Sequence, residues 1–167
     1  NGLQGIYSPG CGVWVSEDDL VMVGPDDYRT FVRPYLERLF GEFGGGSVHF
    51  CGDGYQHVPE ILETKNVAVL NNSPMGLFPQ FADLRTHLAG SLVHQVQDIV
   101  PFDIEEYFTA LLEPVEDFTG MMFASMLIDD LAMEMDGKLK PTDEHPFSRA
   151  NRMSKVIREQ AALKLKG

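Results

Sequence analysis

The chain has 167 residues, of which 44% are hydrophobic and 23% are charged, and its formal net charge is −12. This length suits one domain with a sizeable core, so we expect a single domain over residues 1–167. No apolar run approaches the roughly 20 residues that cross a membrane, and the chain does not open with the basic segment of a signal peptide. The acidic charge argues against nucleic acid as a partner, and we expect a cytoplasmic protein that binds no membrane.

Short apolar segments alternate with helical patterns about five times along the chain. The predicted strands cover residues 12–16, 47–51, 67–70, 91–96 and 120–127, although the Met and Phe side chains of the last segment would also suit a helix. The predicted helices cover residues 25–41, 57–64, 79–88, 104–112 and 147–165, with Asp103 as the expected N-cap of the fourth and a polar linker at 138–144. We find no Asn-Gly hairpin signal between consecutive strands. Strands that alternate with helices are typical of βα units, so the sequence predicts an α/β fold with a parallel sheet.

Residues 25–41 carry the clearest helical pattern. Apolar side chains recur at i, i+3, i+4 and i+7, which predicts one face packed on the core: Tyr28, Phe31, Val32, Tyr35, Leu36, Leu39 and Phe40. Pro25 suits the first turn, whereas Pro34 removes a backbone donor from the interior. We therefore expect a kink or a break in this helix at Pro34.

A His-x-Cys pair, His49 and Cys51, marks the end of the second predicted strand. Residues i and i+2 of a strand point to the same face, so the imidazole and the thiol lie side by side. In parallel α/β folds, ligands bind at the carboxyl edge of the sheet. Zinc prefers imidazole and thiolate ligands, so the pair is a candidate zinc site; the alternative is a buried histidine beside a buried cysteine. Cys11 is the only other cysteine, and we expect reduced thiols without a disulfide framework.

Polar side chains follow the ends of other predicted strands. Three acids come directly after the first strand: Glu17, Asp18 and Asp19. They form either a solvated capping loop or a cluster of catalytic carboxylates at the mouth of a site. Asn71 and Asn72 end the third strand, and Gln95 lies at the end of the fourth. Amides are poor zinc ligands, so we interpret these three side chains as candidates for hydrogen bonding a substrate.

Three stretches of the sequence resemble the uroporphyrinogen decarboxylase superfamily. The first is SEDDL at 16–20 with GPDDYRTFVRPYL at 24–36, in which an internal proline is usual. The second is HFCGDG at 49–54 with ILET at 61–64, and the third is GSLVHQ at 90–95. The resemblance runs over nearly the whole chain and implies the C-terminal half of a (β/α)8 TIM barrel, about four to five βα units with parallel strands. Such a half-barrel exposes its edges and inward faces, so we expect a homo-oligomer or completion by an N-terminal half.

The resemblance also implies a function. At the His-x-Cys position the sequence is similar to a branch of zinc-dependent methyltransferases, which move a methyl group between a corrinoid (cobalamin) protein and a thiol or another acceptor. That branch completes its zinc shell with a later cysteine, but residues 121–126 are MMFASM. Candidate third ligands are the three acids after the first strand, His94 and, if its loop folds back, Cys11.

Two alternatives stay open from the sequence. The first is a uroporphyrinogen decarboxylase, an enzyme of porphyrin biosynthesis that uses no metal. Its substrate carries several carboxylates and needs a basic cleft, whereas basic residues are scarce at the predicted strand ends. The second is a non-catalytic half-barrel that serves as a binding module. Metal analysis tests the methyltransferase, and turnover of the porphyrinogen tests the decarboxylase. A protein that binds no zinc, corrinoid or porphyrin would be the binding module.

Overall fold

A parallel sheet forms the centre of the computed structural model, which describes residues 2–3, 6–7, 10–74, 78–134 and 136–165. The strands are, in chain order, β1 (Gly2–Leu3), β2 (Ile6–Tyr7), β3 (Val13–Ser16), β4 (Gly46–Phe50), β5 (Val67–Asn72), β6 (Val93–Val96), β7 (Met121–Phe123), β8 (Leu131–Met133) and β9 (Leu139–Pro141). Strands β3 to β7 pair in sequential order, each parallel to the next. Two short antiparallel pairs, β1 with β2 and β8 with β9, lie outside this sheet.

Helices connect the strands of the parallel sheet. They are α1 (Pro25–Asp27), α2 (Arg33–Glu42), α3 (Val58–Glu63), α4 (Phe81–Leu88), α5 (Ile104–Leu112) and α6 (Pro146–Lys164). Each step from β3 to β7 passes through helical structure, so every connection in the sheet is a βα crossover. The predicted α/β class, with a parallel sheet that alternates with helices, is confirmed. Within the described ranges, every helix is too short or too polar to cross a bilayer.

The two faces of the sheet differ in chemistry because strand side chains alternate between them. Val48, Phe50 and Leu70 belong to an apolar cluster that also contains residues of α2, α3 and α4. A second apolar cluster joins the end of β6 to α5 and α6. The opposite face carries polar side chains, among them His49 and Asn71. The helices thus cover the apolar face, and the polar face is left to form a site.

A register shift between β4 and β5 decides which side chains share that polar face. Gly46 pairs with Val67, but Ser47 pairs with Val69, so one residue of β5 is bulged out. Beyond the bulge, His49 pairs with Asn71. An unbroken register from Gly46 would have put Leu70 opposite His49. The bulge therefore places a polar amide beside the histidine.

The first long helical segment contains the irregularity that Pro34 predicts. A π-helical turn at Tyr28–Val32 precedes α2, and Pro34 lies in the first turn of α2. A π turn holds about one residue more than an α turn and so rotates the residues that flank it. Tyr28 is buried, but Phe31 and Tyr35 are 68% and 65% exposed, so the prediction that these two pack on the core was wrong.

Asp103 is the N-cap residue of α5, as predicted, but its side chain makes no capping hydrogen bond. The prediction for the polar segment after β8 was wrong. Residues 138–144 were predicted to be a linker, yet β8 and β9 pair as an antiparallel hairpin. The signal for this hairpin was Asp136-Gly137: Gly137 has a φ of 84°, and the Asp136 side chain accepts a hydrogen bond from the Lys138 amide at 3.1 Å.

Candidate metal centre

The backbone joins the ends of β3 and β4 at the carboxyl edge of the sheet. Ser16 pairs with His49, and the Glu17 amide donates to the His49 carbonyl at 2.7 Å. The chain then turns into a short 3-10 helix, Asp18–Met22, which leaves Asp18 over the end of β4. There the amide of Cys51 donates to Asp18 Oδ1 at 3.0 Å. Three potential ligands, Asp18, His49 and Cys51, thus meet at one point of the edge.

The donor atoms of these three side chains lie within 4.8 Å of one another. His49 Nε2 is 3.3 Å from Cys51 Sγ and 3.5 Å from Asp18 Oδ1. Metal–ligand bonds of roughly 2.0–2.3 Å in a tetrahedral shell separate neighbouring ligands by about 3.3–3.8 Å, so these two distances suit zinc. His49 is buried, whereas Asp18 and Cys51 are exposed, so the cluster opens toward solvent.

Asp18 and Cys51 differ in protonation. The Ser16 hydroxyl donates to Asp18 Oδ2 at 2.7 Å, and this bond lowers the pKa of the Asp18 carboxyl. Loss of solvation raises the pKa of the Cys51 thiol, and the negative charge of Asp18 raises it further. The ligand set without a metal is therefore a carboxylate beside a neutral thiol. A bound cation would reverse the balance at Cys51 because it stabilises the thiolate.

The other side of the His49 ring is packed and hydrogen-bonded. Its Nδ1 forms a short hydrogen bond with Asn71 Oδ1. The ring of Trp14 lies against it, with the two ring centroids 5.4 Å apart. Only the Nε2 edge of the imidazole therefore faces the cluster with Asp18 and Cys51.

The cluster in the described part of the chain includes Asp18 but neither Glu17 nor Asp19. Glu17 is partly buried, and burial raises the pKa of its carboxyl. Its charge acts on Tyr28, a residue of the apolar cluster on the helix-covered face. The structure thus selects one acid of the three as a partner of His49, and a catalytic role for Glu17 and Asp19 stays a prediction.

His94 lies on the opposite face of the sheet from the cluster. It pairs with Leu70, whose side chain belongs to the apolar core, and its ring packs against Phe81 with centroids 5.4 Å apart. Its Nε2 forms a 2.6 Å hydrogen bond with Asn72 Oδ1. His94 is therefore separated by the sheet from His49 and Cys51, which excludes it as their third ligand. Cys11 precedes β3 and lies near Gly45, at the amino edge.

The three candidate substrate-binding amides are buried and divide between the two faces. Asn71 and Gln95 pair with each other and share the His49 face. Asn72 faces the helices, where it contacts His94. Hydrogen bonds within the chain occupy both asparagines, and a substrate contact of these amides stays a prediction.

Sequence reasoning missed two polar residues at the same edge. Gln97 and Asp98 directly follow β6, and both are buried. Gln97 Oε1 accepts from Asn71 Nδ2 at 3.0 Å. Asp98 accepts from the Tyr107 hydroxyl at 2.9 Å, and burial raises the pKa of its carboxyl. The sequence did contain a signal for Asp98. Asp98 closely follows a predicted strand, and the same position made Asp18 a candidate.

Neither a protein-family model nor a curated protein matches this chain.

Proposed function

We propose that Asp18, His49 and Cys51 bind one zinc ion and that the chain is a zinc-dependent methyltransferase of the corrinoid type, within the uroporphyrinogen decarboxylase superfamily. One observation carries this proposal: three donor atoms of types that zinc accepts meet at the open carboxyl edge of a parallel sheet. A site with three protein ligands and a solvent-facing side is typical of catalytic zinc, because the fourth position stays available to a substrate.

Each residue of the site would have a different role in methyl transfer. A zinc ion held there would act as a Lewis acid that lowers the pKa of a substrate thiol, so that the thiolate accepts the methyl group at neutral pH. His49 is buried and fixed on its far side, so it would hold the metal at a defined position on the sheet edge. Asp18 and Cys51 line the exposed rim, which leaves the approach open for a methyl donor carried by a corrinoid partner protein.

Four of the seven arginines support this choice over a decarboxylase. Arg29 and Arg33 form ion pairs with Glu60 on the helix-covered side. Arg85 and Arg149 are buried and donate to backbone carbonyls. A substrate with several carboxylates would need free guanidinium groups beside the site, and these four side chains are engaged elsewhere.

We also propose that the sheet is completed into a barrel-like core by a second copy of the chain or by an N-terminal half. The support is two exposed apolar side chains on the His49 face, which is otherwise largely polar: Val93 and Met122 are 38% and 39% exposed. For a homo-oligomer we expect light scattering after size-exclusion chromatography to give at least twice the 18.6 kDa mass of the chain. A monomer that keeps its fold in dilute solution would show that the chain does not complete itself by pairing.

Zinc content tests the metal centre directly. After loading with zinc and removal of the excess, we expect about one zinc per chain by elemental analysis, and clear loss of zinc in Cys51→Ser and Asp18→Asn. Asp19→Asn is the matched control, because Asp19 belongs to the same acidic run but lies outside the cluster. A wild-type chain that holds no zinc, or equal zinc loss in both aspartate variants, would contradict the proposed ligand set.

The methyl-transfer step has its own assay. The zinc-loaded protein should demethylate methylcobalamin in the presence of a small thiol, and the absorbance change of the cobalamin should be weaker in Cys51→Ser. A protein that binds zinc at the three ligands but transfers no methyl group would keep the metal centre and reject the methyltransferase. Such a result would favour a binding module.

A further inference from the structure

Asn71 is fully buried, and each polar atom of its side chain has a partner. Its Oδ1 forms the short hydrogen bond with His49 Nδ1. Its Nδ2 donates to the Gln95 backbone carbonyl at 3.1 Å and to Gln97 Oε1 at 3.0 Å. A line of hydrogen bonds therefore runs across the sheet, from the proposed zinc ligand on β4 to the end of β6.

The carbonyl of Gln95 determines which way the Asn71 amide points. A carbonyl oxygen only accepts hydrogen bonds, so the group of Asn71 that faces it must be the NH2. The amide oxygen of Asn71 therefore faces His49. Because that oxygen also only accepts, the imidazole must carry its proton on Nδ1. The reversed amide would bring two oxygens to 3.1 Å in the interior, where they repel each other and no donor pairs with them.

This tautomer prepares His49 for a metal. With the proton on Nδ1, the lone pair of the neutral ring is on Nε2, the atom that faces Cys51 and Asp18. A neutral histidine binds a metal through such a lone pair, and a hydrogen bond at its other nitrogen holds the ring in place. The opposite tautomer would point an N–H bond at the metal position.

We propose that Asn71 is a positioning residue of the metal centre, which fixes the tautomer and the orientation of His49. Gln97 and the Gln95 carbonyl in turn hold the Asn71 amide. This inference rests on the proposed zinc function, since it concerns one of the same three ligands. In the metal-free protein, it predicts that the His49 proton is on Nδ1.

Asn72 provides a matched control. It is the next residue, it is equally buried, and it also accepts from a histidine, but that histidine is His94 on the opposite face. Asn71→Leu and Asn72→Leu therefore each remove one side-chain amide from the same strand. Only Asn71→Leu affects the metal centre.

The experiment combines zinc titration against a chelating dye with nitrogen-15 NMR of the histidine rings in metal-free protein. Asn71→Leu should weaken zinc binding by about 10- to 100-fold, the range found for partners that orient a metal ligand. It should also remove the preference for Nδ1–H in His49. Asn72→Leu should change neither measurement. Asn71→Asp keeps an acceptor for Nδ1 and should keep the preference for Nδ1–H, but its second oxygen faces the Gln95 carbonyl and should lower the stability of the fold.

The outcomes separate this inference from the proposed function. A wild-type chain that binds no zinc, yet shows His49 with its proton on Nδ1, rejects the zinc centre and keeps the role of Asn71 in fixing the tautomer. Tight zinc binding that is unchanged in Asn71→Leu, or a wild-type His49 with its proton on Nε2, overturns the inference. If Asn71→Leu does not fold, the wild-type tautomer decides the question.

Discussion

Two asparagine–histidine pairs lie on opposite faces of the same sheet. Asn71 binds His49 through Nδ1, and Asn72 binds His94 through Nε2. Each histidine ring also packs against an aromatic ring, Trp14 or Phe81, with centroids 5.4 Å apart in both cases. The two pairs are thus built from the same parts, and adjacent residues of β5 supply their asparagines.

The pairs differ in what meets the second nitrogen of each ring. His49 Nε2 meets Cys51 and Asp18 at an edge that is open to solvent. His94 Nδ1 is buried and has no hydrogen-bond partner among the described residues. Burial and the nearby charge of Arg85 lower the pKa of His94 to about 3. The same type of asparagine–histidine pair therefore orients a proposed metal ligand on the polar face and forms an uncharged part of the core on the other face.

Replacing His49 or His94 by alanine, in separate variants, should give the largest difference between the two pairs. His49→Ala removes a proposed ligand, so zinc affinity should fall by more than the roughly 100-fold that outer-shell changes reach. His94→Ala should leave zinc affinity unchanged, because the ring is on the far side of the sheet. It should instead lower the free energy of unfolding by about 3 kcal/mol, because it leaves a cavity against Phe81 and an unpaired Asn72 oxygen.

Zinc titration and urea unfolding of the metal-free proteins measure the two effects separately. His87 is an exposed histidine at the end of α4 and provides a control, since His87→Ala should alter neither quantity appreciably. Equal loss of zinc affinity in His49→Ala and His94→Ala would remove the distinction between the two pairs.

The contrast between the faces was partly visible in the sequence. His49 and Cys51 alternate with the apolar Val48 and Phe50, which already separates a polar face from an apolar one. The same alternation puts His94 in line with Leu92 and Val96. A consistent use of it would have assigned His94 to the core in advance, because two apolar neighbours at i±2 share its face.

Other features of the site depend on details that alternation does not encode. The bulge in β5, opposite Gly46 and Ser47, places Asn71 rather than Leu70 beside His49, and the flanking residues give no sign of it. The choice of Asp18 among three consecutive acids depends on the path of the 3-10 turn and on its bond with the Cys51 amide. The alternation of helices and strands from β3 to β7, in contrast, followed from local patterns, because each of these elements carries its own period.

The protonation of His94 should make the free energy of unfolding depend on pH. His94 stays neutral in the folded chain down to about pH 3, whereas an unfolded histidine takes up a proton near pH 6.5. Between these values the unfolded state binds more protons, so stability falls as the pH decreases below about 6.5. Between pH 7.5 and 5.5 this single group should lower the free energy of unfolding by about 1.4 kcal/mol.

A variant without the ionisable ring isolates this contribution from the titrating carboxylates of the chain. His94→Leu is less stable than the wild type at pH 7.5, because the Asn72 oxygen loses its partner, but its stability should fall less on acidification. The two unfolding free energies should therefore converge by about 1.4 kcal/mol between pH 7.5 and 5.5, as urea titrations of the metal-free proteins would show. Parallel curves would mean that His94 takes up its proton in the folded state, and the second pair would then not be the neutral core element that its burial indicates.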